Sequence, residues 1–302
     1  MPLDATAAAA ERRAATAGIL VMLASVLLYS LNDVLGKWLV TAYAVGQVMV
    51  LRSLGALAVI GPLAWRSLRA PGRRRLPRPR LQALRILLGA LECACFYWAV
   101  GHLPLADAMT FWMAAPIFVT ALSAPLLGER VGARRWLLVV VGFLGVALAL
   151  GAEDFGASAG LPALVACAGS LLYALFLVAS RQLRDTPDVV MAALQMLGGL
   201  AVGLALVLGA SGAWVTPSAQ DLALMAVLGL VATLGHIGVT RALKLAPASV
   251  VVPYQYSFLI WAALFGWLVF GDVPGPEMLL GAAVIVAAGV LLHREHSGRG
   301  AA

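Results

Sequence analysis

The sequence predicts an all-α integral membrane protein: ten transmembrane helices in two inverted five-helix repeats, with both termini cytoplasmic. Three observations lead there. Apolar runs nearly fill the chain, its basic residues sit in alternate connections, and the first half recurs in the second about 143 residues later.

Of 302 residues, 62% are hydrophobic and 12% are charged, about half the charged share of an ordinary soluble domain. Such a chain has the bilayer as its solvent. A hydrocarbon core is crossed by about 20 apolar residues in a helix, and ten runs are long enough. They lie near 16–40, 45–65, 82–101, 105–127, 134–151, 160–181, 188–209, 221–243, 247–270 and 275–293. No long polar segment separates them, so 1–302 is expected to be one transmembrane domain. The first run follows Glu11, Arg12 and Arg13. It is too long for the apolar core of a signal peptide and is expected to stay as the first helix. Cys93, Cys95 and Cys167 fall inside apolar runs and are read as small packing residues. Trp214 and Trp267 fall near predicted interfaces and are read as belt anchors.

Of the 21 basic residues, all but Lys37 and Arg52 fall at the termini or in even-numbered connections. Arg66 to Arg85 forms the densest group, and Arg130, Arg134, Arg135, Arg181, Arg184, Arg241 and Lys244 mark the others. Positive charge stays in the cytoplasm. The net charge of +7 is therefore a topology signal. It is not read as a nucleic-acid patch. A multi-pass protein of a bacterial-type inner membrane is expected, working as a monomer with lipid around it.

The repeat is read from matched segments. Ala24–Leu31 (ASVLLYSL) matches Ala168–Leu175 (AGSLLYAL), and Leu54–Val59 (LGALAV) matches Leu197–Val202 (LGGLAV). Pro104 falls on Pro247, Gly128–Glu129 on Gly271–Asp272, and Gly132 on Gly275. Repeat one covers about 16–151 and repeat two about 160–293. Five helices are an odd number, so the second unit enters the membrane from the opposite side. Inverted repeats put a substrate site near the midplane, between the halves, and allow alternating access.

Polar side chains inside a bilayer must face protein or water. In helix 1, Tyr29, Asn32, Asp33, Gly36 and Lys37 fall on one helical stripe. Asp33 and Lys37 are spaced for an i,i+4 ion pair, acid first. This pair either closes the outer face or acts as a gate. Arg52 and Arg181 are further candidates for gating or ion pairing, and Arg181 is the repeat partner of Lys37. Glu92 lies near the middle of helix 3, and it and Tyr97 are counted among the candidate substrate-binding residues. It is placed to bind a substrate amine, relay a proton or hydrogen-bond a neighbouring helix. His236, the repeat partner of Cys93, is read either as a proton carrier or as a packing histidine.

Helix 4 carries Met109, Trp112, Met113 and Pro116 on one face, and helix 9 carries Val252, Gln255 and Tyr256 on the matching face. Trp112 falls on Gln255 and Met113 on Tyr256. This quartet is the candidate substrate contact: rings and Met for an apolar side chain, polar groups for a charged head. Pro116 and Pro253 are expected to kink their helices.

The segments HLPLADAMTFWMAAPIFVTALSAPLLGERVG (102–132) and KLAPASVVVPYQYSFLIWAALFGWLVFGDVPGPE (244–277) resemble the drug/metabolite transporter superfamily, specifically its ten-helix EamA-type members. The family's Gly-Glu at a helix end corresponds to Gly128–Glu129 and Gly271–Asp272, and its Lys near the end of helix 1 to Lys37. The resemblance covers 16–293. It implies a secondary transporter of amino acids or other small metabolites. The central aromatic residues resemble those of amino-acid exporters of the YddG type, which release aromatic and other neutral amino acids. Helix 1 departs from the common EamA form in having Tyr29 and Asn32–Asp33.

Two alternatives stay open on the residues. One is an intramembrane enzyme using Glu92 and His236. The other is an importer or passive facilitator of another small metabolite. No zinc spacing, Ser/His/Asp set or phosphate-cradling loop is present, so neither metal nor cofactor is expected.

Overall fold

A computed structural model describes residues 2–69, 76, 78–115, 117–119, 121–122, 133–149, 160–183, 185–209, 214–245 and 252–299. Among these the regular structure is helical throughout. Helix α1 (Pro2–Ala42) runs back through the Ala-rich start of the chain, because alanine has the highest helix propensity. It is followed by α2 (Val45–Leu68), α3 (Pro79–Val100) and α4 (Leu105–Trp112). Next come α5 (Ala133–Ala149), α6 (Gly160–Gln182), α7 (Asp188–Gly209) and α8 (Ala219–Leu245). A 3₁₀ turn (Val252–Tyr256), α9 (Ser257–Phe265), a π-helical turn (Gly266–Phe270) and α10 (Pro276–Arg299) complete the order. The apolar parts of α1, α2, α3, α6, α7 and α8 are long enough to cross a membrane.

Two of the expected spans are broken where the sequence places Pro or Gly. The run 105–127 is interrupted after Trp112 by a turn at Met113 and Ala114, and is helical again at 115, 117–119 and 121–122. The amide of Ala114 then bonds back to Phe111 and that of Ile117 to Ala114, three residues instead of four. The run 247–270 is not one continuous helix. A 3₁₀ turn opens around Pro253, which has no N–H to give, and a π turn closes it at Gly271, whose φ of +72° caps the end in left-handed form. Pro116, Glu129, Arg130, Gly128, Gly132 and Pro247 lie outside the described residues.

The helices pack in pairs: α1 on α8, α3 on α6, α2 on α7, α4 on α9 and α5 on α10. Secondary pairings follow, α2 on α8 with α3 on α7, and α4 on α6 with α1 on α9. Exchanging each helix with the one five places along leaves this set of major pairings unchanged. Large apolar side chains such as Ile260 (69% exposed) and Leu144 (62%) point outward, while Gln47, Arg85, Thr110 and Ser170 are wholly enclosed. That is the inside-out pattern lipid demands.

Close crossings depend on small residues. A Cβ added at Gly229 in α8 would run into the backbone carbonyl of Arg52 in α2, and one added at Gly55 would lie 2.6 Å from Ala226 Cα. Backbone cannot swing aside as a side chain can. Gly229→Ala is therefore expected to destabilise the fold by about 1–3 kcal/mol, seen as a lower unfolding temperature in detergent. Gly61→Ala, where nothing lies within reach, is expected to leave that temperature unchanged or raise it.

Candidate functional site: a central cavity

The pairing encloses a cavity of about 140 Å³. Its described lining comes from α1, α2, α3, α4, α6, α7, α8, the 3₁₀ turn and α9, while α5 and α10 pack on each other outside it. The chemistry divides into a polar part and an apolar part.

The polar part brings together Tyr29, Asn32 and Asp33 from α1, Arg52 from α2, Glu92 and Tyr97 from α3, Gln195 from α7, His236 from α8, and Gln255. Arg52 is buried, 7% exposed. Its Nη1 donates to Tyr97 Oη and, at 3.3 Å, to Cys93 Sγ, and the guanidinium lies over the Tyr97 ring. Among the described residues no carboxylate stands within ion-pair distance of it. A cation enclosed without a counter-charge in contact is costly, and Glu92 and Asp33 act on this one only at longer range, within the space that all three line. Asp33 Oδ1 accepts from Asn32 Nδ2 at 3.0 Å, and Glu92 Oε1 accepts from Trp112 Nε1 at 2.7 Å. Asn32 Oδ1 and Gln195 Oε1 are buried acceptors with no partner among the described residues. Such atoms look for donors.

The apolar part is built from Met49, Phe96, Met109, Trp112, Met113 and Phe258. Trp112 is a fixed wall. Phe96 meets it edge-on at 5.0 Å, Glu92 holds its N–H, and Gly169 of α6 leaves room for its ring, since a Cβ there would come to 2.6 Å. Methionine beside it can adapt its shape to a guest.

The structure thus gathers most of the residues picked from sequence. Tyr29, Asn32, Asp33, Arg52, Glu92, Tyr97, Trp112, Met113, His236 and Gln255 all line one space. Three corrections follow. Tyr256 is buried behind the lining, not part of it, and its hydroxyl has no partner among the described residues. Lys37 does not pair with Asp33. Its Nζ reaches Asp272 Oδ2 at 2.7 Å, just past the π turn, and lies 4.6 Å from the centre of the Phe270 ring. The two groups sit one turn apart on α1, but Asp33 lines the cavity, whereas Lys37 is outside its lining and reaches across to Asp272. Arg52, expected as a gate or ion-pair residue, lines the cavity itself. The side chains of Arg181 and Val252 lie outside the described ones. Cys93 does more than pack, since it accepts from Arg52.

Sequence reasoning missed Arg85. Counted there with the basic connection, it is wholly enclosed in α3. It donates to Ser180 Oγ at 2.8 Å and meets His236 Nε2 at 3.0 Å and the face of Phe176 at 4.7 Å. A usable signal existed: Gln82 and Arg85 fall at i and i+3 inside the predicted third span, where charge needs a reason.

Comparison with known proteins adds the lineage. The pattern of the EamA-like transporter family matches residues 16–151 and again 160–294. The chain is 29% identical to the pseudopaline exporter of Pseudomonas aeruginosa, over 93% of this chain and 97% of that one. It is 27% identical to the riboflavin transporter of Rhizobium johnstonii, over 98% and 97%. An S-adenosylmethionine uptake transporter of Rickettsia felis is 25% identical over 90% of each. A solved crystal structure, 20% identical, superposes with a TM-score of 0.65 over 92% of this chain and 97% of that one, a likeness of fold.

Proposed function

The chain belongs to the EamA-like transporter family, and from that premise we propose that it exports neutral or aromatic amino acids, or similar small metabolites, by alternating access through the central cavity. Family membership makes it a membrane transporter of small molecules. The enzyme alternative on Glu92 and His236 falls with it.

One observation carries the substrate reading: Arg52, with no carboxylate in ion-pair contact among the described residues, shares a cavity with Asp33 and Glu92. The guanidinium takes a carboxylate. The two acidic side chains, with Asn32 Oδ1 and Gln195 Oε1, take an ammonium group. Trp112, Met113 and Phe258 receive the apolar remainder. A solute with a cation and an anion on one small frame fits this division, and an α-amino acid is the simplest such solute. Names among the relatives include both an exporter and an uptake transporter. The direction of export therefore rests on the resemblance of the central residues to those of YddG-type amino-acid exporters.

The exchange symmetry of the helix pairs supports two five-helix repeats, 16–151 and 160–293; an odd number of spans in each inverts the second, and the basic residues of alternate connections put both termini in the cytoplasm of a bacterial-type cell. The transporter works as a monomer in that inner membrane. Under this arrangement Lys37–Asp272 closes one mouth of the cavity. Its repeat counterparts in the sequence are Arg181 and Glu129. Lys37→Ala and Asp272→Ala are each expected to slow transport on the order of tenfold, as suits a partly enclosed pair. The charge swap Lys37→Asp with Asp272→Lys is expected to restore it in part. A swap no better than either single variant would remove the gate.

Purified protein in liposomes, given radiolabelled neutral amino acids with and without a pH gradient, tests the function. Exchange of amino acid across the vesicle wall is the expected result. No exchange of any amino acid, together with entry of another solute such as riboflavin, would favour the importer reading instead.

A further inference from the structure

We propose that Arg85 and His236 act as positioning residues that set the hydroxyl of Tyr29 as an obligate hydrogen-bond donor into the cavity, where it joins Arg52 in holding the carboxylate end of the solute. The carboxylate rests on the amino-acid reading above; the hydrogen-bond polarity does not.

A guanidinium has donors and no acceptor. Arg85 Nη2 stands 3.0 Å from His236 Nε2, so that nitrogen must offer its lone pair. An imidazole carrying protons on both nitrogens would set N–H against N–H. The ring is therefore neutral, with its proton on Nδ1. That atom lies 3.0 Å from Tyr29 Oη and donates to it. The phenol oxygen is thereby an acceptor toward His236, and its own proton is left over. Among the described residues the hydroxyl has no second partner. Tyr29 lines the cavity, so the spare proton is directed there.

Each member of the chain is held in place. Ser180 Oγ and the Met191 carbonyl fix Arg85 at 2.8 and 3.4 Å. The Tyr29 ring stacks on Phe258 at 6.1 Å and lies against Gly235, where a Cβ would approach to 3.2 Å. Only rotation about its C–O bond remains to the hydroxyl. The same polarity takes from His236 the role of proton carrier, because its one free lone pair is occupied by Arg85.

The test has two arms. In the first, the full-length protein is labelled with ¹⁵N in its histidine rings, and His236 is identified by the signals lost in His236→Gln. A neutral ring with the proton on Nδ1 is expected. Arg85→Met is expected to give a mixture of tautomers and Arg85→Lys to keep the original one. A wild-type ring protonated on Nε2, or on both nitrogens, overturns the proposal. In the second arm, binding of L-phenylalanine is compared with that of 2-phenylethylamine, which lacks the carboxylate. Tyr29→Phe is expected to weaken phenylalanine roughly tenfold or more and to leave the amine within about twofold. His236→Gln, whose amide can accept from Arg85 and donate to Tyr29, is expected to stay near wild type. His236→Leu is expected to follow Tyr29→Phe. Equal losses for both probes would overturn the carboxylate contact. If the wild type binds neither probe, the amino-acid reading fails, and the tautomer alone decides for or against the proposal.

Discussion

Arg52→Met is expected to weaken binding of neutral amino acids by about a hundredfold or more. The guanidinium is enclosed, lines the cavity and has no carboxylate partner among the described residues. In a water-poor site, a bound carboxylate that loses such a partner is left desolvated and unpaired, at about 2–5 kcal/mol. Methionine keeps the length and the apolar stem while removing charge and fork. Lysine is expected to recover only part of the affinity. One ammonium cannot bond to Tyr97, Cys93 and the solute with the reach of a planar fork. Equilibrium binding of phenylalanine and of 2-phenylethylamine separates causes. The amine, which needs no guanidinium, is expected to bind the variant as well as it binds the wild type. If it too is lost while the protein remains folded, Arg52 supports the cavity wall and not the solute.

Glu92→Gln is expected to have the opposite selectivity. The amide oxygen still accepts from Trp112 Nε1, so the indole wall at 2.7 Å stays in place. What disappears is one negative charge facing the ammonium end. A charge-assisted hydrogen bond of this kind is worth about 1.5–3 kcal/mol, or roughly 10- to 100-fold in affinity. Amino acid and amine are expected to weaken together, and 3-phenylpropionate, which carries only the carboxylate, to be unaffected. If transport is driven by a proton gradient through Glu92, the same variant also loses the stimulation. Unchanged binding of all three probes would show that Glu92 serves only to hold Trp112.

The division between what the sequence disclosed and what it hid has a physical cause. Helical stripes are local, so Tyr29, Asn32 and Asp33 declared their common face, as did Met109, Trp112 and Met113. Proline is local too, and kinks were expected at Pro116 and Pro253, though not as 3₁₀ turns, while the π turn that begins at Gly266 was not foreseen. Partners far apart in sequence were not visible. Lys37 has a carboxylate four residues before it, yet it bonds to one 235 residues away. Arg85 stands among seven other arginines between 66 and 85, and spacing alone does not say which of them turns inward. Close approach is equally silent. Nothing in the chain marks Gly169 as the seat of an indole ring, or Gly229 as the glycine that lets α8 reach the backbone of α2.

The proposed function takes the charges in the cavity as receiving the two ends of one guest, and calorimetry on the purified protein tests that directly. Phenylalanine, 2-phenylethylamine and 3-phenylpropionate share the ring and differ only in which charges they bear. A site with Arg52 at one pole and Asp33 with Glu92 at the other is expected to bind phenylalanine at least about tenfold tighter than either one-ended analogue. Equal affinities for the three, or a preference for a one-ended analogue, would contradict it.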